Sequence, residues 1–274
     1  MNMEYYEKQW QALELKDLHS QQIFWDSRAE EFNKGVFKKE NIKNTNNAMN
    51  FLISKIDFNK DSEILDIGCG PGKYSVQFSK LVEKVTALDI SPEMIRYAKG
   101  NAEQQNIKNI DFQLCPWEMA NIQEKGWSKK FDLVFASMCP GINSKDALMK
   151  MIEASKGYCF MSSFAKRKDK IMDSLSEEIY NEKSSSRWGK NIYYAFNILW
   201  SLGYYPEICY QDVKIEKVYT LEKAIELYTH QIQTNKEEFN DVLGKTKKYL
   251  TNIAEDGMIK DIMEAKIAWI YWKK

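Results

Sequence analysis

The sequence predicts an α/β fold, a doubly wound, mostly parallel sheet of seven strands. The first observation is that short apolar runs alternate with helical stripes of apolar residues between residues 64 and 164. The second is a glycine-rich turn at residues 68–72, which joins the first apolar run to the next helical stripe. The third is size, because 274 residues with 44% hydrophobic content suffice for one sizeable core.

Seven short apolar runs predict the strands. They cover residues 64–67, 84–90, 109–114, 131–137, 158–164, 206–218 and 266–274. A helix is expected over residues 74–82, where apolar side chains recur at helical spacing. A second helix is expected to begin after Ser91, a candidate N-cap that is followed by Pro92. A third helix is expected over about residues 144–155.

Helical segments are expected outside the sheet. Residues 1–42 are predicted to form an aromatic-rich N-terminal helical cap, and residues 43–274 the main domain. Helical insertions at about 165–206 and 220–255 are expected to cover the substrate, because ligands of such sheets bind at the carboxyl ends of the strands. The polar links at residues 33–44 and 181–190 are expected to act as hinges.

The charge balance limits the classes of partner. Lys plus Arg equals Asp plus Glu at 39 each, so no overall field favours nucleic acid or anionic membranes. The polar N-terminus does not read as a secretory signal, and no apolar run approaches the ~20 residues of a membrane helix. Five cysteines without a CxxC pair fit a reducing, cytoplasmic compartment. We expect a small-molecule partner, with neither nucleic acid nor membrane.

The glycine turn has the sequence Asp66-Ile-Gly68-Cys69-Gly70-Pro-Gly72. The dinucleotide fingerprint GxGxxG fails, because residue 73 is Lys where a third glycine is needed. The phosphate-binding GxxxxGK[ST] fails as well, because Tyr74 follows that lysine. What remains is an acid followed by GxGxG, between a strand and a helix.

This arrangement resembles motif I of class I S-adenosylmethionine-dependent methyltransferases of the small-molecule type, over roughly residues 45–165. The resemblance implies a Rossmann-like sheet and S-adenosyl-L-methionine as methyl donor. It places the ribose hydroxyls on Asp89, about 20 residues past the glycines, and the adenine against Ile90. The full set of donor-binding residues expected is Asp66, Gly68, Cys69, Gly70, Asp89, Ile90, Trp117 and Ser137.

The sequence departs from the family after the third strand. The acid that often bonds the adenine amine is replaced by Cys115-Pro-Trp117, with Glu118 as a displaced substitute. Two interpretations of Trp117 stay open, a ring on the adenine face or a ring that covers the sheet edge.

The sequence indicates the methyl acceptor less clearly than the methyl donor. Residues 137–140, Ser-Met-Cys-Pro, lack the Asn/Asp-Pro-Pro-aromatic motif of enzymes that methylate nucleobases or glutamine amides. We therefore expect a small-molecule acceptor, with Cys139, Trp188 and Tyr193 as substrate contacts. No catalytic residue is assigned, because the donor supplies the activation, and the two histidines have no metal-ligand spacing.

Three alternatives remain at this point. The chain could bind the donor without turnover. It could use a related sulfonium for aminopropyl transfer, although no paired acid site follows the fourth strand. It could also methylate a thiol or metalloid, if Cys69, Cys115 and Cys139 surround one site. The oligomeric state is not indicated.

Overall fold

The computed structural model describes residues 3–11, 17–36, 38–181, 189–233 and 238–274. The strands are β1 (Glu63–Ile67), β2 (Lys84–Asp89), β3 (Ile110–Leu114), β4 (Phe131–Ser137), β5 (Ser155–Asp169), β6 (Glu207–Thr220) and β7 (Met258–Lys273). The helices are α1 (Met3–Gln11), α2 (Leu18–Val36), α3 (Lys39–Lys55), α4 (Ser75–Phe78), α5 (Pro92–Glu103), α6 (Lys145–Ala154), α7 (Lys170–Tyr180), α8 (Lys190–Ser201), α9 (Leu221–Ile232) and α10 (Phe239–Ile253).

The seven strands form one sheet in the order β3-β2-β1-β4-β5-β7-β6. The pairs β1–β2, β1–β4, β2–β3 and β4–β5 are all parallel. The predicted α/β, mostly parallel, Rossmann-like sheet of seven strands is therefore confirmed. The strand order reverses between β1 and β4, and ligands of open α/β sheets bind at such a switch point, beyond the carboxyl ends of the strands.

Local sequence signals account for the strands and helices next to the switch point between β1 and β4. β1 and β2 are buried almost throughout, as expected of central parallel strands. α5 begins as predicted, with Pro92 in its first turn and the Ser91 side chain accepting a hydrogen bond from the Met94 N–H. Ser144 caps α6 in the same way, through the Ala147 N–H.

Three elements differ from their predicted extent. The helix predicted over residues 74–82 is only the four-residue α4, because the N–H groups of Lys80 and Leu81 bond three residues back and tighten the chain into turns toward β2. β5 and β7 are longer than predicted. The extra residues 166–169 of β5 are all charged, and the extra residues of β7 alternate between more exposed and buried positions, so neither extension forms an apolar run. The described residues of the link at 33–44 lie mostly in α2 and α3, and its role as a hinge stays a prediction.

The chain divides into two compact units. The first comprises Met1–Ser163, Tyr194–Ile208 and Trp269–Lys274, and its core surrounds β1, β2 and β4. The second comprises Phe164–Tyr193 and Cys209–Ala268. Its core is formed by Ile171, Leu175, Ile179, Ala224, Tyr228, Ile232, Val242, Leu250 and Ile259.

The predicted division into a cap (1–42) and a main domain (43–274) stays a prediction. Within the described ranges, no helix is both long enough and apolar enough to cross a bilayer.

Candidate functional site

The glycine loop between β1 and α4 has a left-handed backbone at its three glycines and is closely packed at two of them. Gly68, Gly70 and Gly72 have φ of 68°, 54° and 78°, in the left-handed region that glycine adopts readily. A Cβ on Gly68 would lie 2.6 Å from the Sγ of Cys139, and one on Gly72 would lie 3.1 Å from the Cβ of Ala98. The loop is thus held between the segment after β4 and helix α5.

Asp89 ends β2 beside this loop, and both of its carboxylate oxygens accept a backbone hydrogen bond. Oδ2 accepts from the Gly70 N–H at 2.8 Å and Oδ1 from the Ser91 N–H at 2.9 Å. The residue is 8% exposed, and burial raises the pKa of its carboxyl. Each carboxylate oxygen has a second lone pair, so the group can still accept two hydroxyls.

Asp66 lies on β1 and is buried more deeply than Asp89. Its Oδ2 accepts a hydrogen bond from the Ser75 hydroxyl at 2.6 Å, across the glycine loop. Burial raises the pKa of Asp66 to about 7. The bond to Ser75 links the start of α4 to the strand, and burial favours the protonated form of the Asp66 carboxyl.

Ser137 ends β4, and its hydroxyl lies 3.1 Å from that of Ser162 on β5. The next residue, Met138, has φ of 56°, and its N–H donates to the backbone oxygen of Ser162 at 3.0 Å. A left-handed non-glycine residue turns the chain sharply here. The turn brings Cys139 back against the glycine loop.

The thiols near the site lie in different environments. Burial, reinforced by the charge of Asp89, raises the pKa of Cys139 to about 12, so this thiol stays protonated at neutral pH. The Sγ of Cys69 is 3.5 Å from the Gly70 oxygen, and that of Cys115 is 3.6 Å from the Pro116 oxygen. The described part of the chain contains no cluster of three His, Cys, Asp or Glu side chains suited to a metal ion. The geometry gives no support to the three-thiol alternative.

Trp117 follows β3 and packs against α6. It is 3% exposed, and its indole N–H donates to the Ala147 oxygen at 3.0 Å. The ammonium of Lys150 lies 5.0 Å from the ring centre and donates to the backbone oxygens of Trp117, Glu118 and Ala120. These contacts favour the packing interpretation of Trp117, and its contact with adenine stays a prediction.

The other predicted residues are less constrained. Ile90 is half-buried directly after β2. Tyr193 lies on α8 with 54% of its surface exposed, and Trp188 lies outside the described residues. The structure therefore brings together Asp66, Gly68, Cys69, Gly70, Asp89 and Cys139, with Ser137 at the end of the adjacent strand.

Sequence reasoning missed two side chains that act on this site. Lys150 holds the loop after β3, and Asp26 of α2 accepts a hydrogen bond from the Ser91 hydroxyl, next to Asp89. The partners are 32 and 65 residues apart in the chain, so no local spacing could have indicated them.

The surface concavities of the described residues include two with volumes of about 420 and 300 Å³. The larger is lined by residues of the second unit, including Lys168, Asp173 and Glu264. The smaller lies along β3 and α5. Neither of these two is lined by a residue of the predicted donor set.

A buried acid that ends β2, beside a glycine loop that follows β1, defines an α/β enzyme of the nucleoside-binding kind. The sequence profile of a family described as "Methyltransferase domain" matches residues 58–256. The chain belongs to that family, and it is an S-adenosylmethionine-dependent methyltransferase.

Curated relatives match over different lengths. The malonyl-[acyl-carrier protein] O-methyltransferase of Buchnera aphidicola is 28% identical over 174 residues, which cover 57% of this chain and 69% of that protein. The 23S rRNA (uracil(1939)-C(5))-methyltransferase RlmD of Aliivibrio fischeri is 34% identical over 80 residues. That match covers 29% of this chain and only 18% of the RNA enzyme.

Solved structures share the fold at low identity. The YcgJ protein of Bacillus subtilis has a TM-score of 0.51 at 16% identity, covering 84% of this chain and 98% of that one. Phosphoethanolamine N-methyltransferase 2 of Haemonchus contortus, solved with phosphomonomethylethanolamine and S-adenosylhomocysteine, also has a TM-score of 0.51 at 16% identity. It covers 84% of this chain and 52% of that one.

Proposed function

We propose that this methyltransferase transfers the methyl group of S-adenosylmethionine to a small-molecule acceptor, and that Asp89 holds the donor ribose. The observation that carries the proposal is the carboxylate of Asp89, whose two oxygens each accept one backbone N–H. Those bonds hold the side chain at the C-terminal end of β2 and leave one lone pair free on each of its oxygens. Two such lone pairs match two vicinal hydroxyls.

The residues around Asp89 fit the donor. The three left-handed glycines allow a ligand to approach the backbone where a side chain would block it. The donor, when bound, supplies an activated methyl group on its sulfonium. The contribution of the protein is then to bind, to orient the two reactants and to exclude water.

The residues at the end of β4 fit an acceptor that needs little activation. Cys139 is protonated at neutral pH and is therefore poorly suited to act as a general base. We assign Cys139 to the wall of the acceptor site, together with Ser137. Trp188 and Tyr193 stay proposed substrate contacts.

Two observations favour a small molecule over RNA as acceptor. The chain carries equal numbers of acidic and basic residues, whereas RNA binding is dominated by a positive surface. The segment after β4 also lacks the Asn/Asp-Pro-Pro-aromatic motif. The match to the rRNA enzyme covers a short part of both chains, whereas the matches to the malonyl-carrier and phosphoethanolamine enzymes are longer.

Calorimetry with S-adenosylhomocysteine tests the donor assignment. Replacement Asp89→Ala removes both hydroxyl acceptors, and one charge-assisted hydrogen bond contributes about 1.5 to 3 kcal/mol, so affinity should fall at least about tenfold. The replacement Asn109→Ala, which removes hydrogen bonds to the backbone oxygens of Ser79 and Val82 outside the predicted donor set, serves as the control. Unchanged affinity in Asp89→Ala would remove Asp89 from the donor site.

Label transfer tests the acceptor. Radioactive methyl donor is incubated with the protein and, separately, with a low-molecular-mass metabolite extract, with total RNA and with acyl carrier protein. We expect label in the metabolite fraction alone. Label in RNA or in acyl carrier protein, or in none of the three fractions, would contradict a small-molecule acceptor.

A further inference from the structure

Helix α2 is hydrogen-bonded to the segment that carries Asp89. The Oδ1 atom of Asp26 accepts from the Ser91 hydroxyl, and it also lies 3.3 Å from the Glu93 N–H. Ser91 is fully buried, and its own N–H donates to Asp89. One side chain of α2 is therefore separated from the proposed ribose ligand by a single residue.

A second tie connects α2 to the glycine loop. The amide nitrogen of Asn101, on α5, donates to the Asn33 side-chain oxygen at 2.8 Å and to the Pro71 backbone oxygen at 2.9 Å. Pro71 lies between the second and third glycines of the loop, and Asn101 is buried. The same amide thus bridges α2 and the loop.

Both ties come from one face of α2. Asp26 and Asn33 are seven residues apart, about two helical turns, and Ala29 lies between them on the same face. Ala29 is almost fully buried. The small residue allows α2 to approach α5 closely, with one polar contact on each side.

The charge of Asp26 opposes the ionised form of Asp89. Its repulsion adds to burial in raising the pKa of the Asp89 carboxyl. An asparagine at residue 26 has the same shape and would accept the same two hydrogen bonds without this repulsion. Replacement by asparagine therefore separates the hydrogen bonds of Asp26 from the effect of its charge on Asp89.

We propose that Asp26 and Asn33 are positioning residues for the donor, which act through Ser91 on the ribose-binding segment and through Asn101 on the glycine loop. This inference rests on the proposed role of Asp89. It makes α2 part of the donor site through its hydrogen bonds to the segments that hold the donor. Loss of the Asp26 tie leaves the buried Ser91 hydroxyl without its acceptor, loss of the Asn33 tie removes one of two acceptors of the Asn101 amide, and either loss lets the attached segment move.

Affinity and stability together test the proposal, by calorimetry with S-adenosylhomocysteine and by thermal unfolding without it. We expect Asp26→Ala to weaken binding about five- to tenfold, since it removes a charge-assisted hydrogen bond. Asn33→Ala should weaken it by about threefold, since the Asn101 amide keeps its bond to Pro71. Asp26→Asn should bind within about twofold of the wild type, because it retains both hydrogen bonds.

A matched control separates positioning from simple support of the fold. The Asn109 amide donates to the backbone oxygens of Ser79, Val82 and Glu83, before β3 begins and away from the donor loops. Asn109→Ala should lower the melting temperature by several degrees and leave donor affinity unchanged. If Asp26→Ala behaves in the same way, Asp26 is a structural residue and the proposal is wrong.

Two further outcomes are decisive. If Asp89→Ala and Asp26→Ala both leave affinity unchanged, the donor assignment itself fails; if Asp89→Ala alone weakens binding, only the role of α2 fails. Should Asp26→Ala not fold, hydrogen exchange of the wild type replaces it. S-adenosylhomocysteine should then slow amide hydrogen exchange in residues 18–36 as well as in the glycine loop and the segment after β2. Slower exchange confined to the glycine loop and that segment would overturn the proposal.

Discussion

The two units of the chain both bury carboxylates, and they satisfy them in different ways. In the first unit, Asp66 is bonded by a serine hydroxyl and Asp89 by two backbone N–H groups, all of them neutral donors. In the second unit, Asp169 is 1% exposed and forms a 2.6 Å ion pair with Arg167, and it also accepts from the Met172 N–H to cap α7.

This difference separates a ligand site from a structural contact. A buried acid held by neutral donors keeps a raised pKa and has lone pairs to offer, at a cost in stability. A buried acid paired with arginine has its charge already compensated. The first arrangement suits a carboxylate that waits for hydroxyls, and the second suits the attachment of a helix to a strand.

The largest effect is expected in the second unit, from Asp169→Ala. The change removes the 2.6 Å ion pair with Arg167, whose side chain is 18% exposed, and the cap of α7. We expect the free energy of unfolding to fall by about 2 to 4 kcal/mol, measured by denaturant titration.

The exposed pair of Asp212 with Lys266 is the control for this change. Asp212 is 81% exposed, so Asp212→Ala should cost less than about 0.5 kcal/mol. Equal losses in the two variants would show that the burial of Asp169 does not matter.

A smaller effect, dependent on pH, is expected for Asp66→Asn. Burial raises the pKa of Asp66 from an ordinary 3.8 to about 7, so the folded state holds its proton more tightly than the unfolded state. Ionisation therefore opposes folding, and stability falls as pH rises from about 4 to about 7. Asparagine does not ionise. The variant should gain roughly 2 to 3 kcal/mol relative to the wild type between pH 5 and pH 8.

Denaturant unfolding without donor, at pH 5 and at pH 8, measures this change. A constant difference between the variant and the wild type at both pH values would show that Asp66 is ionised throughout. The buried acid of the first unit would then resemble that of the second.

The smallest effect is expected for Trp117→Phe. The change removes the indole N–H from the buried Ala147 oxygen and keeps an aromatic ring, so stability should fall by about 1 kcal/mol. If the packing interpretation holds, affinity for S-adenosylhomocysteine stays within about twofold. A marked loss of affinity would instead support the contact with adenine.

The elements nearest to the switch point could be predicted from the sequence because their signals are local. β4 has the predicted bounds, and Ser91 caps α5 as expected, since an apolar run and a capping residue are read from a few neighbours. The acid and the glycines of the β1 loop are equally local. Their positive φ values follow from the turn that a strand must make to enter a helix here.

The features of the fold and site that could not be predicted depend on contacts between distant parts of the chain. α4 ends early because the chain turns back within a few residues toward β2, and no propensity encodes that return. Asp26 and Lys150 meet their partners across 65 and 32 residues. The packing of Trp117 is decided by α6, whose position the local sequence does not specify.

The strand order has a consequence for how copies of this chain meet. β3 and β6 are the outermost strands, and a free strand edge is a template on which another chain can add a strand. β3 is only five residues long and is followed by Pro116, which has no N–H to donate. β6 is longer, but it carries alternating charges that include the ion pair of Lys214 with Glu216. Short length at one edge and charge at the other disfavour edge-to-edge strand pairing between copies of the chain.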